Sequence, residues 1–303
     1  MRILIAGAGA TGGAFGTRLF EAGRDVTFLV RPTRAEKMRA NGLRFAAPGE
    51  DRTNTVPVVT AAELAEHSDP SADLIIVAVK ANGLESVIAD LTPAVGANTM
   101  IIPFLNGMAQ IDLLEAKFPG QVLGGLVKIV GTIKDEAIVQ MTDMAIMTIG
   151  TLNSSPMPTA IAEALEVPGY KLQILDRIND ALWEKWIFIA AAGVVTCLFR
   201  APIGPIMAAG GQPHVIAIVD ELEAIAAAAG HPISEKGRAM TLSMLTEEGS
   251  AFTSSLYRDV TAGLPSETEH ILGDLARTAH DLGVETPLLD LTLVQLRAGE
   301  SAH

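Results

Sequence analysis

The segment Gly7-Ala8-Gly9-Ala10-Thr11-Gly12 constrains this chain more than any other. It follows the run Arg2-Ile3-Leu4-Ile5-Ala6 without a gap and leads into a helical pattern that reaches Glu21. In a G-x-G-x-x-G set between a strand and a helix, the first glycine makes the tight turn. The second leaves room for a pyrophosphate against the backbone, and the third lets the helix pack on the strand. The helix N-terminus then offers N–H groups and a positive dipole end to the phosphates. The placement predicts dinucleotide binding, with a merely structural glycine turn as the alternative.

The pattern downstream extends the same architecture. Near-continuous apolar runs at 2–6, 25–30, 73–79, 99–103 and 121–126 read as buried parallel strands. Helical patterns at 12–21, 33–41, 84–91 and 108–117 separate them, which completes several βαβ units and predicts a doubly wound, Rossmann-type sheet. Segments 43–59 and 127–149 are rich in Val, Ile and Thr and read as short strands that decorate or extend that sheet. After about residue 175 the strand signals stop, and helices are predicted over 179–199, 214–229, 234–246, 266–282 and 288–298. The expected division is therefore a nucleotide-binding domain over 1–174 and an all-helical domain over 175–303 that serves substrate binding and dimerisation. The gap between two such domains is a common place for a small-molecule site.

Composition narrows the partners. The 303 residues suit two domains, and 49% apolar against 19% charged residues is a globular balance. A formal net charge of −13 repels a phosphate backbone, which argues against nucleic acid. Cys197 is the single cysteine, and six histidines without a Cys/His cluster give no metal-ligand spacing. A reducing cytoplasm is the expected compartment. No leader is expected at the N-terminus, where glycine interrupts the apolar run at Gly7, and no membrane helix is predicted because prolines, glycines, Gln212 and His214 break the uncharged stretch 201–219. The apolar helices of the second half leave a homodimer open.

Several polar residues sit where chemistry could use them. The second strand ends Phe28-Leu29-Val30-Arg31, where NAD enzymes usually place an acid for the ribose 2′-hydroxyl. Arg31, with Arg34 nearby, would instead fork onto a 2′-phosphate and favour NADP(H); the alternative is two solvated arginines at a helix start. Lys80 and Asn106-Gly107 follow the carboxyl ends of two further strands, where open α/β sheets bind ligands. Lys80 could lie along the adenine or phosphates and Asn106 could meet the nicotinamide ribose or the substrate, against a solvated lysine and an Asn-Gly turn. Lys185 stands at the mouth of a long apolar helix, where its ammonium could protonate an alkoxide or could snorkel to a neighbouring acid. Glu267 follows Ser266 in a helix-start pattern, which capping already explains.

Taken together, the Gly7 to Gly12 loop, Leu29-Val30-Arg31, Val79-Lys80, Asn106-Gly107-Met108, Trp183-Glu184-Lys185, Ser254-Ser255 and Ser266-Glu267 resemble the ketopantoate reductase (2-dehydropantoate 2-reductase) family over nearly the whole chain. The resemblance implies NADPH-dependent reduction of a 2-keto acid to a 2-hydroxy acid, with ketopantoate as the family substrate in pantothenate and coenzyme A biosynthesis. It implies Lys185 as general acid, Glu267 on the substrate's hydroxyl end and Ser255 on its carboxylate, while Lys80 and Asn106 help to hold cofactor and substrate. Pantoate-forming members carry asparagines one and two helical turns after the lysine, where this chain has Ile189 and Gly193. That departure keeps three alternatives open: reduction of another 2-keto acid, a dehydrogenase running oxidatively, and a non-catalytic NADP(H)-binding regulator.

Overall fold

The computed structural model describes residues 1–300. The chain forms two compact units, one from Met1–Leu105 with Gln110–Ile178, the other from Asn106–Ala109 with residue 179 onward.

The first unit is built on a parallel sheet. Its strands are β1 (Arg2–Ala6), β2 (Asp25–Leu29), β5 (Val58–Val59), β6 (Ala72–Val77) and β7 (Val95–Pro103), in the order β5-β2-β1-β6-β7. All four pairings are parallel. Helices α1 (Ala10–Glu21), α2 (Pro32–Asn41), α3 (Ala61–Glu66) and α4 (Leu84–Leu91) lie in the crossovers, and α5 (Ala109–Lys117) follows β7. The central strands are apolar on both faces because helices cover both: Ile3, Ile5, Leu74 and Ile76 belong to one buried cluster, Leu4, Ala6, Ile75 and Val77 to another.

A second sheet replaces the predicted extension of the first. The strands β3 (Leu43–Ala47), β4 (Glu50–Asn54), β8 (Leu123–Lys134), β9 (Ala137–Thr151) and β10 (Lys171–Ile174) run β10-β9-β3-β4, with β8 antiparallel to β9. The segment read as a fifth buried parallel strand at 121–126 therefore opens the β8–β9 hairpin; it meets the first sheet at a parallel bridge between Ile101 and Val122 and through the Gln121 side-chain amide, which donates to the Gly96 and Thr99 carbonyls. Helix α1 is packed against this second sheet closely enough that a Cβ on Gly13 would collide with Ile138. The guanidinium groups of Arg18 and Arg52 lie 4.9 and 5.3 Å from the centre of the Phe45 ring, and Glu21 and Glu50 neutralise them. Helix α6 (Thr159–Leu165) precedes β10.

The second unit is helical among the described residues. Its helices are α7 (Ile178–Phe199), α8 (Ile203–Ala208), α9 (Gln212–Ala228), α10 (Glu235–Leu245), α11 (Ser255–Thr261), α12 (Asp274–Asp281) and α13 (Pro287–Glu300), and a π-helical turn over Glu269–Gly273 leads into α12. At 22 residues with mean hydropathy 1.6, α7 is long and apolar enough to cross a membrane by length and composition. It lies outside the stretch 201–219. Two-thirds of its most apolar window is buried inside the protein, where Trp186, Ile187, Ala190, Val194 and Val195 form the middle of the helical core.

Two features of this core are open to measurement. The Glu221 carboxylate on α9 accepts the Leu288 and Leu289 N–H groups at the start of α13, at 3.1 and 2.8 Å. Glu221→Ala should cost about 1–2 kcal/mol of unfolding free energy in urea, the usual loss for a removed helix cap. Burial pushes the Cys197 thiol up to about 12. At pH 8 the native protein should leave a thiol reagent unreacted over minutes and react promptly once unfolded.

Candidate active site

Parallel pairing sends three candidate segments off the same end of the first sheet. The glycine loop leaves β1, Arg31 follows β2, and Lys80 follows β6, and these strands are neighbours in the order β2-β1-β6. Gly7 takes φ +106°, a backbone state that side chains resist, and its N–H donates to the Leu29 carbonyl at 3.1 Å. A Cβ there would stand 2.7 Å from the Ala78 carbonyl oxygen, and one on Gly12 would collide with the Gly7 carbonyl. Gly9 is different. A Cβ on it would meet nothing within 4 Å, and no side chain caps the α1 N-terminus that it begins. The loop thus keeps open space in front of unspent helix N–H groups, with no acid in the first turn, which is what a pyrophosphate requires.

The two arginines after β2 diverge. Arg34 donates to the Glu136 carboxylate at 2.9 Å, and Lys37 reaches the same carboxylate at 2.8 Å. The exposed Arg31 guanidinium makes no ion pair among the described residues and lies 3.9 Å from where a Gly83 Cβ would be. It therefore overhangs the turn Ala81–Gly83 that Lys80 begins. Of the pair, Arg34 is the one already engaged with a carboxylate among the described residues.

The second unit gathers other candidates. Asn106 donates its side-chain amide to Glu267 Oε2 at 3.3 Å across 161 residues of sequence. Glu267 was expected in the first turn of a helix capped by Ser266; it instead stands just before the helical residues, which begin at Thr268, and the Ser266 hydroxyl accepts the Thr268 N–H at 3.4 Å. The helix does not continue regularly from there. The π turn at Glu269–Gly273 inserts one extra residue, and two buried contacts hold it. Trp186 Nε1 donates to the Ile271 carbonyl at 2.9 Å, and His270 Nε2 lies 2.6 Å from the Asn106 carbonyl. Neither residue stood out in the sequence as part of a site; a tryptophan one position after the candidate acid was the available signal. Lys185 is half-buried on α7, next to Trp186. Ser255 is exposed at the first position of α11, behind a Ser254 that caps the helix through the Tyr257 N–H and meets Thr196 of α7 at 2.8 Å.

The chain and its fold have counterparts among known proteins. The family model for ketopantoate reductase PanE/ApbA matches residues 3–154, and the model for its C-terminal domain matches 177–300. The chain belongs to the ketopantoate reductase family. Among its relatives is the uncharacterised oxidoreductase YkpB of Bacillus subtilis, 31% identical with 99% of each chain covered. The crystal structure of 2-dehydropantoate 2-reductase from Methylococcus capsulatus superposes with TM-score 0.88 at 25% identity, covering 100% of this chain and 97% of that one. A ternary structure of D-mandelate dehydrogenase with NADH and anilino(oxo)acetate has the same fold, with TM-score 0.87 at 22% identity and coverage of 100% and 99%. This ketopantoate reductase relative is thus a pyridine-nucleotide-dependent oxidoreductase of small keto acids.

The positions that depart from pantoate-forming members have a structural context. Ile189 is half-buried against the helical core. Gly193 is buried, and a Cβ there would stand 3.2 Å from Leu256 Cδ2 and 3.7 Å from Leu272 Cδ2. A side chain at 193 would press on Leu256 and lie at ordinary contact distance from Leu272.

The glycine loop yields a paired test. Gly9→Ala should leave the melting temperature unchanged while weakening nucleotide binding, because its Cβ meets only the space reserved for phosphate. Gly12→Ala should lower both, since its Cβ strikes the Gly7 carbonyl. Differential scanning fluorimetry with and without nucleotide reads the two effects together.

Proposed function

We propose that this protein reduces a 2-keto acid to a 2-hydroxy acid with NADPH, the first unit holding the cofactor and the second the substrate. The observation that carries the reading is the Asn106–Glu267 pair, because it joins two polar candidates, distant in sequence, in the unit that also holds Lys185. A reduced nicotinamide, when bound, supplies the hydride that reaches the keto carbon. The Lys185 ammonium gives a proton to the carbonyl oxygen as negative charge grows there, a role for which a half-buried amine is suited. Glu267 accepts a hydrogen bond from the substrate's hydroxyl end, and Asn106, already paired with it, orients both carboxylate and substrate. The Ser255 hydroxyl meets the substrate carboxylate, and Lys80 and Arg31 hold the adenosine end. Arg31 supports NADPH over NADH through a fork onto the 2′-phosphate that lysine could not form.

Ketopantoate is the first substrate to test, which would place the protein in pantothenate biosynthesis. The reducing cytoplasm is the proposed compartment, since the one cysteine is buried as a free thiol. A second reading has its own observation: Ile189, with Gly193 closed over by Leu256 and Leu272, supports a 2-keto acid whose side chain is apolar. A lost hydrogen bond to a substrate hydroxyl commonly weakens binding by about 0.5–1.5 kcal/mol, which is enough to reorder preferences among keto acids.

Initial rates over a panel of 2-keto acids, each with NADPH and NADH, decide among these. NADPH oxidation with none of them would overturn the proposal. Lys185→Ala should lower kcat by about 10²-fold or more while leaving NADPH affinity nearly intact, and an undiminished kcat would remove the lysine from its role. Arg31→Ala should weaken NADPH by about tenfold and NADH hardly at all, the loss expected of one charged hydrogen-bonding partner.

A further inference from the structure

Among the described residues outside the groups assigned so far, His270 has the most specific geometry. Its side chain is only 13% exposed, and it sits in the π turn between Glu267 and α12. Its Nε2 lies 2.6 Å from the Asn106 main-chain oxygen. A carbonyl can only accept, so Nε2 carries the proton and donates. The next residue, Gly107, has φ +84°, and a Cβ there would stand 3.2 Å from the His270 carbonyl oxygen and 3.5 Å from its Nε2. The Asn106-Gly107 turn is therefore moulded against the imidazole, and its glycine is needed for both the turn and the approach.

We infer that His270 is a positioning residue: by holding the Asn106 carbonyl it fixes the side-chain amide of Asn106 on Glu267, and so sets the polar end of the substrate site. The inference rests on the proposed roles of Asn106 and Glu267. A segment leaving a β-strand has freedom to rotate its peptide planes, and a single amide-to-carboxylate contact at 3.3 Å does not remove it. The imidazole supplies a second, independent restraint on the same residue. Glu267 accepts from the Asn106 side chain and His270, in the π turn, meets the Asn106 main chain, while Trp186 holds the same turn at the Ile271 carbonyl. Other charged groups around the ring are Asp274, whose Oδ2 is 3.4 Å from Nδ1, Arg277, which pairs with Asp274, and Glu267. Burial holds the imidazole below its usual range.

The experiment is a double-mutant cycle in the full-length protein, with kcat and KM measured for the best 2-keto acid. His270→Phe keeps the ring volume and removes the donor. It should lower kcat/KM by about tenfold, the scale of one lost hydrogen bond. His270→Gln, whose amide can reach the former Nε2 position, should return kcat/KM to within about threefold of the parent. In an Asn106→Ala background His270→Phe should cost nothing further, as expected for two residues acting through one contact. Additive losses, or a failure of Gln to rescue, would overturn the inference and leave His270 a packing residue. An Asn106→Ala variant with parental kinetics would instead overturn the proposed role of Asn106. The ring and the amide can also be read without turnover. Long-range ¹H–¹⁵N spectra should show the Nε2–H tautomer at His270 and a shift of the Asn106 side-chain amide in His270→Phe; the opposite tautomer or an unmoved amide would refute the inference.

Discussion

Parallel strand pairing is the constraint on which the first unit depends. In an antiparallel sheet neighbouring strands end on opposite edges; here β2, β1 and β6 all end on one, so Arg31, the glycine loop and Lys80 leave the sheet together. That alignment demands apolar strands covered on both faces, and the two buried clusters of the unit are the two coverings. The close contacts of Gly7 with Ala78 and of Gly12 with Gly7 then bring β1, β6 and α1 within touching distance. Binding chemistry follows from packing in this half of the protein.

The second unit depends on contacts over long sequence distance rather than on strand order. Lys185 lies on a helix that is apolar on nearly every side, and the segment carrying Glu267 is tied to that helix by one indole N–H. Asn106 and His270 are 164 residues apart, yet they share a hydrogen bond. The acid candidate and the carboxylate candidate are thus held in one framework by buried groups that have no part in proton transfer themselves.

How much of this was legible in the sequence follows from how local each signal is. Strands buried on both faces announce themselves as unbroken apolar runs, and the strands 2–6, 25–30 and 73–79 could be read directly. The same rule misled at 121–126, because the first five residues of β8 are buried and only those beyond Val127 become exposed, so a hairpin strand imitates a parallel one. In α7 the apolar residues surround the helix, which leaves no contrast to show where Lys185 points. The candidate polar residues could be named from their places at strand and helix ends. Their partners could not: Glu136 beside Arg34, the indole of Trp186 and the imidazole of His270 are joined only by the fold. The π turn was likewise unreadable, since no local propensity marks the insertion of one residue.

The packing at Gly193 bears on how a pocket of this kind can change over evolutionary time. A Cβ at 193 would press on Leu256 and touch Leu272, and Leu256 adjoins Ser255 on α11. An isolated exchange at 193 meets a steric barrier before it can confer any new recognition. Conversion toward a hydrophilic ligand has to pass through trimming of one or both leucines, at a loss of core volume. Positions 193 and 256 are therefore coupled: a side chain at 193 is accommodated only as far as Leu256 yields.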